Sequence, residues 1–220
     1  NDAFGKLLVG TLDQAGIDTS GIIMADDVFT TLAFVTLDET GNREFSFSRK
    51  PGADTCLSYD ELNMQLIDNA KVFHFGTLSL TDEPARTTTY KAVEYAKNAG
   101  KLITYDPNLR KPLWKDLEEA KKQLIWGMTK ADVVKISDEE VAFLWGLGVE
   151  EGADYIQDFP GYQFPPPELL KVGLAYQLFF TDAGRRIPLL LQFCQDIHLV
   201  TDCHKIRLLF HHPYSIIELH

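Results

Sequence analysis

The sequence predicts an α/β protein built on a parallel sheet, and three observations carry that prediction. From residue 58 to residue 152, short apolar runs alternate with longer stretches whose apolar positions recur at helical spacing. Each run stops at a polar segment, as strands feeding right-handed βαβ units do. The 220 residues are 45% hydrophobic and 24% charged, which is ordinary for a chain that buries a core.

The elements follow in order. Residues Ala3–Ala15 set Phe4, Leu7, Leu8 and Leu12 at helical spacing, and Gly16 stands where a closing glycine belongs. Ile22-Ile23-Met24 reads as a short strand. Thr31–Asp38 and Glu44–Arg49 are β-rich runs joined by Glu39-Thr40-Gly41-Asn42-Arg43, which predicts a hairpin. Along its second run Phe45, Phe47 and Arg49 share one face. Arg49 there either snorkels to water or reaches a polar ligand under the hairpin.

After Pro51-Gly52, Ser58 and Glu61 form a capping box that opens a helix bearing Leu62, Leu66 and Ile67. Val72–Phe75 is a strand. Asp82–Asn98 is a helix with Pro84 in its first turn and Gly100 just past its end. Leu102–Tyr105 is a strand, and Trp114–Met128 a helix with Leu117, Ala120, Leu124 and Met128 along one side. Val133–Ile136 and Asp138–Leu147 complete the alternation as strand and helix.

In such a sheet, ligand-binding groups gather at the carboxyl ends of the strands. Those ends carry His74-Phe75-Gly76-Thr77, Asp106-Pro107-Asn108-Leu109-Arg110 and Lys135-Ile136-Ser137-Asp138-Glu139-Glu140. The middle one lies in Leu102–Trp114, where an apolar run gives way to a carboxylate, an amide and a guanidinium within five residues. Ser137-x-x-Glu140 is also a capping box, a sufficient structural reason for both residues. His74 is expected to be a structural histidine.

The net charge of −11 argues against nucleic acid and anionic membranes as partners. No apolar run approaches the ~20 residues that span a bilayer. Cys56, Cys194 and Cys203 are too few and too scattered for a disulfide framework, so the expected compartment is the cytoplasm.

Beyond about residue 153 the pattern changes. Five of the six histidines (His198, His204, His211, His212 and His220) lie there, lysine thins to Lys171 and Lys205, and Phe164-Pro165-Pro166-Pro167 interrupts any regular element. Residues 153–220 are therefore expected to be an aberrant tail, from a shifted frame, a junction or a non-coding read-through. Cys194, His198, Cys203 and His204 match no paired zinc-ligand spacing.

The succession TTLAFVTLDETGNREFSFSRKPGAD, HFGTLSLTDEPAR, ITYDPNLRKPLW and ADVVKISDEEVAFLWG resembles the ribokinase-like (PfkB-type) carbohydrate kinases, the bacterial fructokinases in particular. The resemblance spans residues 1–152. It implies a doubly wound, mainly parallel sheet from about 58 to 152, with a small β lid formed by strands at about 22–49. It further implies transfer of the γ-phosphoryl group of ATP, with Mg²⁺, to a sugar hydroxyl, and a homodimer through the lid.

Residue by residue, Phe47 and Arg49 match sugar-facing lid positions, and Asp106, Asn108 and Arg110 match a substrate-binding D-P-N-x-R segment. Ser137 and Glu140 match N-x-x-E, with Ser in place of Asn, whose glutamate organises Mg²⁺ and phosphate through water. The resemblance also implies a preceding strand and a following Gly-Ala-Gly-Asp motif, whose aspartate is the general base. That string does not occur in the 220 residues, and Thr181-Asp182-Ala183-Gly184 has the wrong order. The expectation is a fragment without its catalytic base. The alternative is a degenerate, non-catalytic sugar-binding module.

Overall fold

Among the described residues, four short strands form the central sheet. A computed structural model describes residues 1–39, 41, 43–148 and 151–152, with the backbone of 177–181; all lie within one compact unit, Asn1–Asp182. The sheet order is β3 (Val72–Phe75), β4 (Leu102–Tyr105), β5 (Val133–Ser137) and β6 (Gln177–Thr181). The first three run parallel, and β6 pairs antiparallel with β5. Ahead of them stand α1 (Ala3–Gln14) and an antiparallel hairpin, β1 (Leu32–Leu37) and β2 (Arg43–Ser48). The helices α2 (Met64–Asn69), α3 (Ala85–Asn98), α4 (Leu117–Lys130) and α5 (Asp138–Trp145) complete the alternation.

The period-2 pattern of the strands gives the sheet two unlike faces. Phe75, Ile103, Tyr105, Val134 and Ile136 point to one side, where Ala92, Val93 and Ala96 of α3, Met128 of α4 and Val141 of α5 bury them. Val72, His74, Thr104, Val133 and Lys135 occupy the other face and stay exposed or half-buried. Asp132 extends the β4–β5 ladder with its side chain. Ile103 N donates to Asp132 Oδ2, and Asp132 N donates to Ile103 O, both at 2.8 Å.

β3 and β4 occupy the predicted residues, and α1 closes at Gly16 and α3 at Gly100, both with positive φ. Other boundaries moved for physical reasons. Ile22–Met24 finds no strand partner and is exposed, so the lid strands begin at Leu32, not near residue 22. The Ser58–Glu61 capping box is formed, but it opens a single 3-10 turn, and α2 starts only at Met64. Pro84 takes the cap position of α3, so the predicted first turn at Asp82 is absent.

Trp114 is buried, but outside the helix predicted to begin there. Lys111–Leu113 makes a 3-10 turn, and Asp116 caps α4 through Glu118 N. Leu117, predicted on the buried side, is exposed, while Ala120, Leu124 and Met128 are buried. Gly146 ends α5 short of the predicted Leu147. The predicted tail, the Cys194–His204 group and Thr181–Gly184 lie outside the described residues, apart from the backbone of β6.

Candidate functional site

The carboxyl ends of β3, β4 and β5 come together around one turn, Asp106–Leu109. Gly76 follows β3 at a spot where a Cβ would stand 2.8 Å from the Asp106 carbonyl oxygen, so only glycine lets the two segments touch. Thr77, wholly buried, donates both its backbone N–H and its hydroxyl to the Pro107 carbonyl. Asp106 N donates to Phe75 O at 3.2 Å. Asn108 has φ +48, a left-handed conformation that asparagine tolerates better than most residues.

Glu140 secures the far side of the turn. Its Oε1 accepts from Leu109 N at 2.8 Å and its Oε2 from Ser137 N at 2.9 Å, while Glu140 N donates back to Ser137 Oγ. The capping box expected from the sequence is thus formed and opens α5. Its glutamate is only 5% exposed, and burial raises its pKa above the ordinary 4.5 against the lowering effect of the two backbone donors; Asp106 raises it further. Lys135 Nζ lies 2.6 Å from Asp106 Oδ2 on the open face of the sheet. His74 Nδ1 lies 2.9 Å from Thr104 Oγ1, and its pKa is lowered, chiefly by desolvation.

Past the turn, Arg110 places its guanidinium 4.8 Å from the centre of the Phe45 ring. Phe45 and Phe47 stack at 6.1 Å with their planes 9° apart, and the pairing Val35↔Phe45, Ala33↔Phe47 sets both rings on one face of the hairpin. A cation over Phe45, whose ring stacks on Phe47, joins the hairpin to the sheet edge.

Arg49 is engaged differently. Its Nε and one terminal nitrogen donate to Asp54 Oδ2, and the other terminal nitrogen donates to Thr81 Oγ1 at 2.8 Å. A fourth bond goes to Leu78 O, and Thr31 Oγ1 donates to Asp54 Oδ1. Four of the five N–H directions of the guanidinium are used inside the protein. The side chain neither snorkels nor reaches out; it ties the end of the hairpin to the segment after β3.

Among the residues expected at the site, Asp106, Asn108, Arg110, Ser137 and Glu140 gather at the sheet edge, and Phe47 joins them through Phe45. Sequence reasoning passed over Lys135, Thr77 and Phe45 as site residues. Period-2 alternation had already put Phe45 beside Phe47, and Lys135 occupies an outward position at the end of a buried strand. Among the described residues, no group of three or more His, Cys, Asp or Glu side chains could hold a metal ion. No described helix is long and apolar enough to cross a membrane.

A three-stranded parallel sheet with helices, a hairpin and a polar carboxyl edge has the architecture of the ribokinase-like α/β proteins. The chain belongs to the pfkB family of carbohydrate kinases, whose family match covers residues 1–161. Among curated proteins, probable fructokinase-4 of Arabidopsis thaliana is 52% identical over 146 residues, 66% of this chain and 45% of the relative. Fructokinase-1 of Zea mays is 48% identical over 147 residues, 67% of this chain and 46% of the relative. The chain thus spans about half the length of the curated relatives it matches.

Among solved structures, the fructokinase of Xylella fastidiosa with bound ATP is 34% identical with a TM-score of 0.64, covering 71% of this chain and 48% of that one. The fructokinase of Vibrio cholerae O395 with fructose, ADP and calcium ion bound is 32% identical with a TM-score of 0.65, covering 72% and 51%. The bacterial resemblance is therefore joined by plant relatives of higher identity.

Proposed function

We propose that this chain carries the sugar- and phosphoryl-facing part of an ATP-dependent kinase that converts fructose to fructose 6-phosphate. The observation that carries the proposal is the placement of Arg110 against Phe45, which brings the hairpin to the polar carboxyl edge of the sheet. The fructokinase names of the relatives and the fructose- and ADP-bound Vibrio cholerae structure support fructose as the sugar. Phosphoryl transfer needs cations against the charge spread over the transferred group, and positioning does most of the rest.

Arg110 supplies a permanently charged planar fork, and Phe45 and Phe47 supply an apolar wall. Asp106 and Asn108 are assigned to the sugar hydroxyls. Arg49 is assigned the task of holding the hairpin in place over the sugar. Mg²⁺ neutralises charge on the phosphates of ATP and takes most of its ligands from phosphate and water. Glu140 with Ser137, at the start of α5, is assigned to organise that ion and the phosphates through water, since both carboxylate oxygens already accept backbone N–H bonds. A homodimer through the hairpin and a cytoplasmic setting belong to the same reading. Phe34 and Leu37, 56% and 69% exposed, give the hairpin apolar surface for such pairing.

No Gly-Ala-Gly-Asp string is present to take the sugar hydroxyl proton. The 220-residue chain is therefore expected to show no ATP-dependent phosphorylation of fructose in a coupled assay. A chain extended to include that segment is expected to turn over. Turnover by the 220-residue chain overturns this assignment, and fructose binding without turnover by the extended chain favours a non-catalytic sugar-binding module.

A further inference from the structure

The turn Asp106–Leu109 is held at both ends, and only the far end, Glu140, lies in a motif the family resemblance marks. The near end is held by Lys135. In β5 the neighbours Val134 and Ile136 point into the core and are fully buried. Lys135 therefore projects from the opposite face, where its side chain is 22% exposed and its ammonium meets the 18%-exposed Asp106 carboxylate at 2.6 Å.

Asp106 begins a segment whose next three residues are constrained one by one. The Pro107 carbonyl is taken by Thr77, Asn108 is left-handed, and Leu109 N is bound by Glu140. A left-handed non-glycine residue costs of order 1–3 kcal/mol and persists only where its flanks over-determine it. Lys135 and Glu140 are the charged groups on those two flanks, and both are carried by the β5–α5 unit. Arg110, next in the chain, holds its guanidinium 4.8 Å from the centre of the Phe45 ring.

We propose that Lys135 is a positioning residue: by holding Asp106 it fixes the near end of the turn and so delivers Arg110 to Phe45 of the hairpin. Its service to phosphoryl transfer rests on the reading under Proposed function, whereas the ordering of the turn does not. A merely local ion pair would leave the turn unchanged when removed.

Nuclear magnetic resonance on the 220-residue chain separates the two cases. Lys135→Met is expected to speed hydrogen exchange at the Leu109 amide by about tenfold relative to the Val134 and Ile136 amides. It is also expected to abolish the ring-current shift of the Arg110 side chain. Lys135→Arg keeps both signals, Asp106→Asn reproduces the loss, and the double variant adds nothing to it.

Unchanged Leu109 exchange and Arg110 shift in Lys135→Met overturns the proposal. If Lys135→Met also loses Val134 protection, Asp106→Asn takes over as the test, and native-like turn signals in it are equally fatal. A fructose titration keeps the two readings apart. Turn signals that behave as expected in a chain that binds no fructose uphold the role of Lys135 and remove the sugar assignment.

Discussion

The end of β2 and the turn after β4 each present one arginine, and the two are held in different ways. Arg49 is 4% exposed and spends four N–H groups on Asp54, Thr81 and Leu78. Arg110 lies with its guanidinium over an aromatic ring. Acceptors consume the donor edge of a guanidinium, whereas a ring engages its flat side. Both were expected at the sugar from the same resemblance. The contacts differ: Arg49 ties the end of the hairpin to the segment after β3, and Arg110 packs against the hairpin through Phe45.

Truncation tests the division most sharply at Arg49. Arg49→Ala leaves Asp54 largely buried without its cation, and a broken buried pair costs about 3–5 kcal/mol. Chemical denaturation is expected to report that loss, and Arg49→Lys to recover only part of it, because an ammonium cannot reproduce the fork. A loss under about 1 kcal/mol would mean that the network at the end of β2 does not fasten the hairpin.

Glu140 comes next. Its native pKa is raised, so its contribution to stability is fully present below the ordinary value of 4.5 and is lost as the pH rises through the raised value. Glu140→Gln carries no charge at any pH, and its amide nitrogen cannot accept one of the two backbone bonds, a loss that does not vary with pH. Its stability relative to the wild type is therefore expected to rise with pH in parallel denaturation series. A relative stability that falls with pH would mean that the carboxylate gains more from Leu109 N and Ser137 N than burial costs it.

The smallest effect on stability is expected at Arg110. Arg110→Ala removes a cation–π contact, about 0.5–1 kcal/mol, and a bond to the neighbouring Leu109 carbonyl, while Arg49→Ala removes a network that spans three segments. If the two variants lose equal stability, the contrast between the two arginines fails.

Much of the sheet was legible in the sequence, because β3 and β4 are short apolar runs bounded by turn residues that local rules detect. The failures share a cause. Ile22–Met24 is apolar enough for a strand but has no partner, and pairing cannot be read from one segment. Trp114 looked like the first apolar position of a helix, whereas Pro112 holds Lys111–Leu113 in a 3-10 turn and Asp116 supplies the actual cap.

At the site, the D-P-N-x-R and S-x-x-E strings were visible as motifs. Their joining was not, because Leu109 and Glu140 are 31 residues apart and Asp106 and Lys135 are 29 apart. The burial of Arg49 was hidden for the same reason, since Thr81 is 32 residues away. Local pattern locates the strand ends, and tertiary contact decides which side chains on them are spent on the fold.

The most direct test of the central claim, that hairpin and sheet edge enclose a fructose site through Arg110, is calorimetric titration of fructose into the 220-residue chain and its Arg110→Ala variant. The expected result is measurable binding by the parent chain, weakened by about tenfold or more in the variant for loss of a charged hydrogen-bonding group, with the fold retained. Equal affinity in the two, or no binding by a folded parent chain, would contradict it.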